Sequence, residues 1–442
     1  MGDRSCGRRG SAVSTSKFDA IVVGTGPAGA TVARDLASAG HRVLILEWGD
    51  EAPVTGTLEQ TMEQLMSPGR GAFAVDGVML LRGVTVGGSS IYYYGTATNP
   101  PFDLFDRYAV DLRSDVASVR EELPVAELRE DLIGPKATQI QTAAQRLGLD
   151  WRPLEKLIYQ DRCESSVPMG FYSAPAYEAK WNARMWVDEA VTLGAELRTG
   201  AFVSAVECRD GRATGVVYDA GSGTEVAHAD IVVVSAGGVG TARILQASGV
   251  GGAGEAFFHD PLVIVSGVVP GLVAPPDIPM SAGTHFDDEG FMLTDLCTPA
   301  ENLAVLAAGA GVDPSRYPSE STLQIMVKIR DDLAGSIGSN DITKKLTAAD
   351  VERLENGCAI AEGILREAGA TDIFRGGISA AHPGGSVRIG ESVNANLETS
   401  IEGLYACDAS VIPEPWGLPP TITCMALGRR LARHLSGGAD RR

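Results

Sequence analysis

Basic residues are in short supply here: 37 Lys and Arg stand against 56 Asp and Glu, for a formal net charge of −19. Phosphate neutralisation needs clustered Lys and Arg, so the deficit argues against nucleic acid as a partner and disfavours an anionic membrane surface. Long apolar runs are missing as well, and no stretch approaches the roughly 18 apolar residues of a membrane span. The seven cysteines (Cys6, Cys163, Cys208, Cys297, Cys358, Cys407, Cys424) are odd in number, scattered and without a C-x-x-C pair. That usage argues against a zinc site and fits a reducing compartment, with the cytoplasm as the expected address. There is no internal repeat of solenoid period and no long low-complexity tract. Residues 1–17 contain Arg8-Arg9 but no apolar h-region. They are expected to form a disordered leader, not an export signal.

What the chain does have is apolar material, 44% of 442 residues, enough for a large core and two or three domains. The most informative stretch is Phe18 to Glu47. An apolar run from Asp19 to Val23 ends at Gly24-Thr25-Gly26-Pro27-Ala28-Gly29, a full G-x-G-x-x-G. An alanine-rich helical pattern follows to about Ala39, then Gly40-His41 as a turn, then Arg42–Leu46 as a second strand ending on Glu47. In such a βαβ unit Gly24 permits the tight turn, Gly26 admits a pyrophosphate close to the backbone, and Gly29 lets helix and strand pack closely. The phosphates would meet the free N–H groups of a helix N-terminus, and Glu47 stands where a carboxylate accepts from a ribose 2′-hydroxyl. The unit binds a dinucleotide, with NAD, NADP and FAD all open at this point.

Ala52–Met79 reads as mixed and loop-like. In Leu80–Ile91 glycines and serines crowd between apolar residues. This suits backbone held against a ligand with hydroxyls as donors, but composition alone favours a buried turn between core elements. Pro101 to about Pro168 is polar and acidic and is expected to hold helices. An amphipathic pattern from about Tyr177 to Leu193 predicts a helix with Trp181, Met185, Trp186 and Val187 in the core. Short alternating runs, Ala201–Cys208, Thr214–Tyr218 and Glu225–Ala227, predict an antiparallel excursion. Ile231–Ser235 is a continuous apolar strand of parallel-sheet type, running into the glycine loop and helix of Ala236-Gly237-Gly238 onward. Between Pro261 and Ile373, prolines, the run Leu323–Ile329 and a helix from Ala348 to Ala368 suggest a separate substrate-facing unit. A last helix is expected over Thr421–Leu435.

Taken together, four separated segments resemble the glucose–methanol–choline (GMC) oxidoreductase family of FAD enzymes. They are Val86-Gly87-Gly88-Ser89-Ser90 after Arg82; Ala236–Leu245 with Ser248–Gly251; His382-Pro383-Gly384-Gly385-Ser386; and Gly403–Pro413 with Pro420–Leu427. His259-Asp260-Pro261 sits where the family often has Asp-His-Pro. The resemblance implies an α/β fold: a discontinuous Rossmann-type FAD-binding domain over 18–261 and 374–442, a poorly matched insertion near 101–168, and a second, α+β substrate-binding domain over 262–373. It places the adenine end near Glu47 and the Val203 backbone, and the pyrophosphate on Gly24, Gly26, Pro27, Ala28 and Gly29. The flavin falls near Gly87, Gly88, Ser89, Ser90, Asp408, Ala409, Pro420 and Thr421, with Arg82, Ala236 and Gly237 completing the cofactor set. Some relatives tether the flavin through a histidine two residues after the serine pair. Tyr92 occupies that position, so FAD is expected to be non-covalent.

The implied reaction is oxidation of a small organic alcohol, with His382 as general base and oxygen or another compound as electron acceptor. Placed against an alcohol of pKa about 15.7, a histidine at about 6.5 would need roughly 12–13 kcal/mol for full prior deprotonation. Proton removal must therefore accompany hydride departure or be helped by donors to the developing alkoxide. One departure stands out: relatives carry a second histidine or asparagine before the proline that is here Pro420, and this chain has Pro419, which offers no donor. Tyr92, Tyr93, Glu414 and Trp416 are candidates to replace that partner, and His285 is a further residue that could touch substrate. The same departure leaves two other readings open: a redox-neutral flavoenzyme (a lyase, cyclase or decarboxylase), and a flavoprotein that only binds.

Overall fold

The computed structural model describes residues 18–163 and 179–437; the expected leader and the start of the helix predicted from Tyr177 lie outside the described residues. Two sheets organise the molecule. In the first, β1 (Phe18–Val23) is central, with β2 (Val43–Leu46) and Glu196–Arg198 on one side and the strand Thr224–Val234 and Leu404–Ala406 on the other, all parallel. Ala20 to Val23 and Val43 to Leu46 are buried, as expected of continuous apolar runs covered on both faces. Helix α1 (Pro27–Ser38) packs over β1 and β2 and against the last helix, Thr421–Gly437. The helices meet where Gly428 leaves no room for a side chain against the Ala28 carbonyl.

The sequence pattern suggests two strands where the structure has one. Glu225–Ala227 and Ile231–Val234 belong to a single strand of 11 residues, Thr224–Val234. Its first half pairs antiparallel with Arg212–Asp219 and its second half parallel with β1. The intervening His228-Ala229-Asp230 has no Gly or Pro to interrupt it, so the chain passes straight from one pairing to the other. Ala52–Met79 is also more ordered than its composition suggests. It contains the helix Leu58–Gln64, capped by the Thr57 side chain, and the hairpin Ala72–Val75/Val78–Leu81 around Asp76-Gly77. The turn chemistry of an Asp-Gly pair is the signal that was available. The acidic segment after Pro101 does hold helices, Phe102–Asp106, Arg113–Glu122 and Pro135–Arg146. The second of these is clamped to the last helix by Arg433 on buried Asp115, at 2.7 and 3.0 Å.

The second sheet is largely antiparallel. Its centre is Pro261–Val268, Thr322–Ile329, Phe291–Leu296 and Ala282–Phe286, and the hairpin 72–81 joins it through Ser379–Ala380. Its two faces differ. Val263, Val265, Leu293, Leu323, Ile325 and Val327 pack onto the helix Ala348–Glu367, which starts with a capping box at Thr347 and Asp350. The pairings Leu262↔Lys328, Met292↔Lys328 and Met326↔Ile264 put these residues on the opposite face. There Met280, Met292, Leu296 and Met326 form an apolar cluster with Leu262 and Tyr94 at its margin. Among the described residues no helix is long and apolar enough to cross a membrane.

Candidate active site

The glycine loop after β1 has the geometry a diphosphate needs. Gly24 takes φ +98°, and a Cβ on Gly29 would overlap the Gly24 carbonyl, so loop and helix close up only without side chains. A Cβ on Gly26, by contrast, would meet nothing within 4 Å: the space beside it is open. No side chain caps the start of α1, which leaves its first N–H groups for an anion. Glu47 at the end of β2 is buried and accepts from Thr25 N (3.1 Å), Thr25 Oγ1 (2.6 Å) and Gly49 N (2.7 Å). Burial raises its pKa against these bonds. Thr25 Oγ1 in turn accepts from Gly87 N at 3.0 Å. Thr25 thus joins three of the expected cofactor segments, a role the G-x-G pattern hides in its variable position.

The remaining segments interleave around the same place. Gly88 lies against Gly26, a Cβ there being 3.1 Å from the Gly26 Cα. Asp408 is buried and spends its carboxylate on Gly237 N (2.8 Å), Thr241 Oγ1 (2.6 Å) and Ser410 N (2.7 Å). Gly238 touches the Pro383 carbonyl so closely that no side chain fits, and Gly385 N donates to Ala409 O at 3.1 Å. The segment leading to Val203 runs beside Glu47, with Ala201 N bonded to Glu47 O at 2.8 Å. Ala236 precedes the helix Gly237–Ala247, and Pro420 and Thr421 open the last helix. Arg82 sits between the rings of Trp48 (5.5 Å) and Phe73 (5.1 Å). Burial, with Arg243 nearby, pulls its pKa down to about 10. It has no ion pair among the described residues, as suits a cation awaiting an anionic ligand. Of the two readings of Leu80–Ile91, Ser90 fits the buried turn: its Oγ donates to Gly87 O (2.6 Å) and accepts from Ala183 N (2.9 Å). Ser89 Oγ accepts from Gly83 N at 3.0 Å, which leaves its own O–H to donate. Open space at Gly26, free helix N–H groups and an arginine that bonds the Arg70 carbonyl (2.7 Å) but has no described ion pair together fit FAD.

His382 lies at the meeting point of the two sheets. Its Nδ1 is 3.2 Å from Asp260 Oδ2, and 26% of its side chain remains exposed. Asp260 is wholly buried and stands 3.5 Å from Lys328 Nζ, also buried. Burial and the Lys328 charge lower the pKa of His382, outweighing Asp260. Behind this trio stands a second one. Asp331 accepts from the backbone N–H of His259 (3.1 Å) and Asp260 (2.9 Å) and pairs with Lys344 Nζ at 2.8 Å. His259 Nδ1 is 2.9 Å from Asp331 Oδ2 but off the line of a directed hydrogen bond. Burial pushes the Asp331 carboxyl up; His259 and Lys344 outweigh that and hold it below its usual range.

Three of the four expected substitutes for the partner missing at Pro419 are engaged elsewhere. Tyr92 OH donates to Gln64 Oε1 (2.5 Å), Tyr93 OH to Trp181 O (2.7 Å), and Glu414 is held by Arg107 (2.9 Å) and Tyr108 (3.0 Å). Trp416 lies edge-on to Phe105, and its buried Nε1 has no hydrogen-bond partner among the described residues. Instead the structure brings Asp260 and Lys328 to His382. Lys328 sits within the alternating run Leu323–Ile329, on the same face as Met326. A lysine at an inward register position was the signal that could have found it.

Two family models, each described as GMC oxidoreductase, match residues 18–264 and 332–428. An uncharacterized protein of Methanocaldococcus jannaschii is 26% identical, the match covering 95% of this chain and 100% of that one. Long-chain-alcohol oxidase FAO4A of Arabidopsis thaliana is 23% identical over 92% of this chain and 67% of its own. Among solved structures, pyridoxine 4-oxidase from Mesorbium loti superposes with a TM-score of 0.73 at 18% identity, covering 94% and 98% of the two chains. Formate oxidase of Aspergillus oryzae, from a study of its FAD modification, superposes at 0.74 and 17%, covering 97% and 99%. These two likenesses establish a shared fold.

Proposed function

Since the chain belongs to the GMC oxidoreductase family of FAD-dependent enzymes, we propose that it oxidises the CH–OH group of a small organic alcohol with His382 as general base. The observation that carries this reading is an imidazole pinned on its Nδ1 side and open on the other. When bound, FAD supplies the hydride acceptor. Gly24, Gly26 and Gly29 with the N-terminus of α1 would hold its diphosphate, Glu47 its ribose, and the segments around Gly87 and Ala409 its flavin end. His382 receives the hydroxyl proton. Because its pKa is lowered, the imidazole is neutral and able to accept at neutral pH. The rate of flavin reduction by substrate should be flat around pH 7 and fall only in acid, below the ordinary histidine range of about 6.5. A limb centred above that value would contradict the assignment.

Met280, Met292, Leu296 and Met326 pack into a buried apolar cluster on the sheet face that carries Lys328, and in this proposal that cluster backs an apolar substrate body. Each buried methylene is worth about 0.8 kcal/mol, so kcat/KM should climb about fourfold per added CH2 along a series of short primary alcohols. Polyols or charged alcohols outrunning the alkyl series would remove the wall from the reading.

FAD is bound without a covalent tether in this proposal, because Tyr92 turns its hydroxyl to Gln64. Acid precipitation should therefore leave the yellow colour in the supernatant; colour in the pellet would contradict it. The division into a cofactor part, 18–261 and 374–442, and a substrate part, 262–373, belongs to the same proposal, as does a cytoplasmic address. Oxygen or another acceptor would reoxidise the flavin.

A further inference from the structure

Asp260 stands out among the described residues for three independent reasons. It is fully buried. It holds φ +48°, one of seven described non-glycine residues on the positive side, a conformation that costs of order 1–3 kcal/mol unless its surroundings enforce it. And those surroundings do enforce it, since its own N–H is fixed on Asp331 Oδ1 at 2.9 Å. The consequence of this backbone turn is that the carboxylate points at His382 Nδ1.

The order of exposure along the trio is informative. His382 keeps a quarter of its side chain open, Asp260 has none, and Lys328 Nζ is sealed with no hydrogen-bond partner. Lys328 meets His382 through Asp260, whose Oδ2 it shares with the imidazole.

We propose that Asp260 is the positioning residue of His382, accepting its Nδ1–H so that Nε2 is left as the proton acceptor, with Lys328 as the counter-cation that sets how much of the Asp260 charge the imidazole feels. This rests on the reading of His382 as the base. In the proton-transfer step the substrate O–H bond breaks, an N–H bond forms at Nε2, and the resulting positive charge on the ring faces Asp260. The second hydrogen bond that relatives make to the substrate oxygen is absent at Pro419. This chain compensates on the far side of the same histidine.

Among the described residues the charged and titratable groups facing His382 are Asp260, from the segment after Phe258, and Lys328, from the strand Thr322–Ile329; His285, two strands away across Met292, feels the Lys328 charge. The two partners act in opposite senses, and that supplies a test. Asp260→Asn keeps the shape but removes the charge. The FAD-loaded variant should show its normal flavin spectrum, reduce flavin about 10²–10⁴-fold more slowly, the range of a positioned general base, and titrate His382 at lower pH. Lys328→Met should shift that titration to higher pH, and Asp260→Glu should return it toward the parent value. The His382 titration is read by 15N NMR of histidine-labelled holoenzyme, with His382→Ala to assign the signal, so it needs no substrate. A merely structural role gives no such opposed pair of shifts. Shifts of one sign, or none, in flavin-loaded variants would overturn the proposal. If His382→Ala reduces flavin at the parent rate, the base assignment itself fails. If His382→Ala is slow and Asp260→Asn is not, only the positioning role does.

Discussion

His382→Ala should slow anaerobic flavin reduction by substrate by about 10²–10⁴-fold while leaving the flavin spectrum intact. The two halves of this expectation come from different parts of the structure. On the proposed reading, cofactor retention depends on the glycine loop, Thr25, Glu47, Gly87 and Asp408, whose hydrogen bonds do not involve the imidazole. The loss of rate depends on the proton. Without a base the alcohol must shed it to water, and none of the side chains that the missing partner at Pro419 called for can take over: Tyr92, Tyr93 and Glu414 are each bonded elsewhere, and the Trp416 indole only donates. An undiminished rate would remove His382 from the mechanism. The same stopped-flow record separates oxidation from redox-neutral chemistry. Bleaching of the flavin on anaerobic mixing supports oxidation, whereas product formation without bleaching would point to a lyase, cyclase or decarboxylase.

The cofactor half of the site could be read from the chain because its chemistry is local. A glycine loop, the helix it opens and the acid 23 residues beyond Gly24 all follow from one βαβ unit, and β1, α1 and β2 form where the pattern puts them. Which way the Ser90 hydroxyl turns was not legible, because composition shows that a hydroxyl is present and not its partners; Ala183, whose N–H donates to it, is 93 residues away. Of the proposed catalytic half, only His382 was legible. Asp260 and His382 are 122 residues apart, and Lys328 comes from a third segment in the other sheet. Only the register Leu262↔Lys328 puts that lysine beside the residues following Phe258. Asp331, in the turn after that strand, has no motif at all. Its importance follows from what it holds.

That holding role makes Asp331→Ala the substitution with the largest expected cost in stability. The side chain is fully buried and receives two backbone N–H groups and the Lys344 ammonium. Removing one member of a buried ion pair leaves the other charge uncompensated, at about 3–5 kcal/mol. Lys344 would retain only the Phe257 and Asp332 carbonyls, each at 2.6 Å. The loss should appear as a lower denaturant midpoint with little change in slope. Its pH dependence follows from the lowered Asp331 pKa. A depressed carboxyl contributes stability above its unfolded pKa, about 3.9, and loses it as pH falls through the folded value. The gap between parent and variant should thus be full at neutral pH and narrow only below about pH 4. The double variant Asp331→Leu/Lys344→Met, which removes both charges, should recover much of the midpoint. It should not recover the rate, because the Asp260 N–H still lacks the acceptor that holds φ at +48° and the Asp260 carboxylate is no longer held toward His382. A double variant with parental flavin reduction would show that Asp331 supports the fold and leaves the base untouched; an Asp331→Ala midpoint equal to the parent would show that Lys344 is stable there without it.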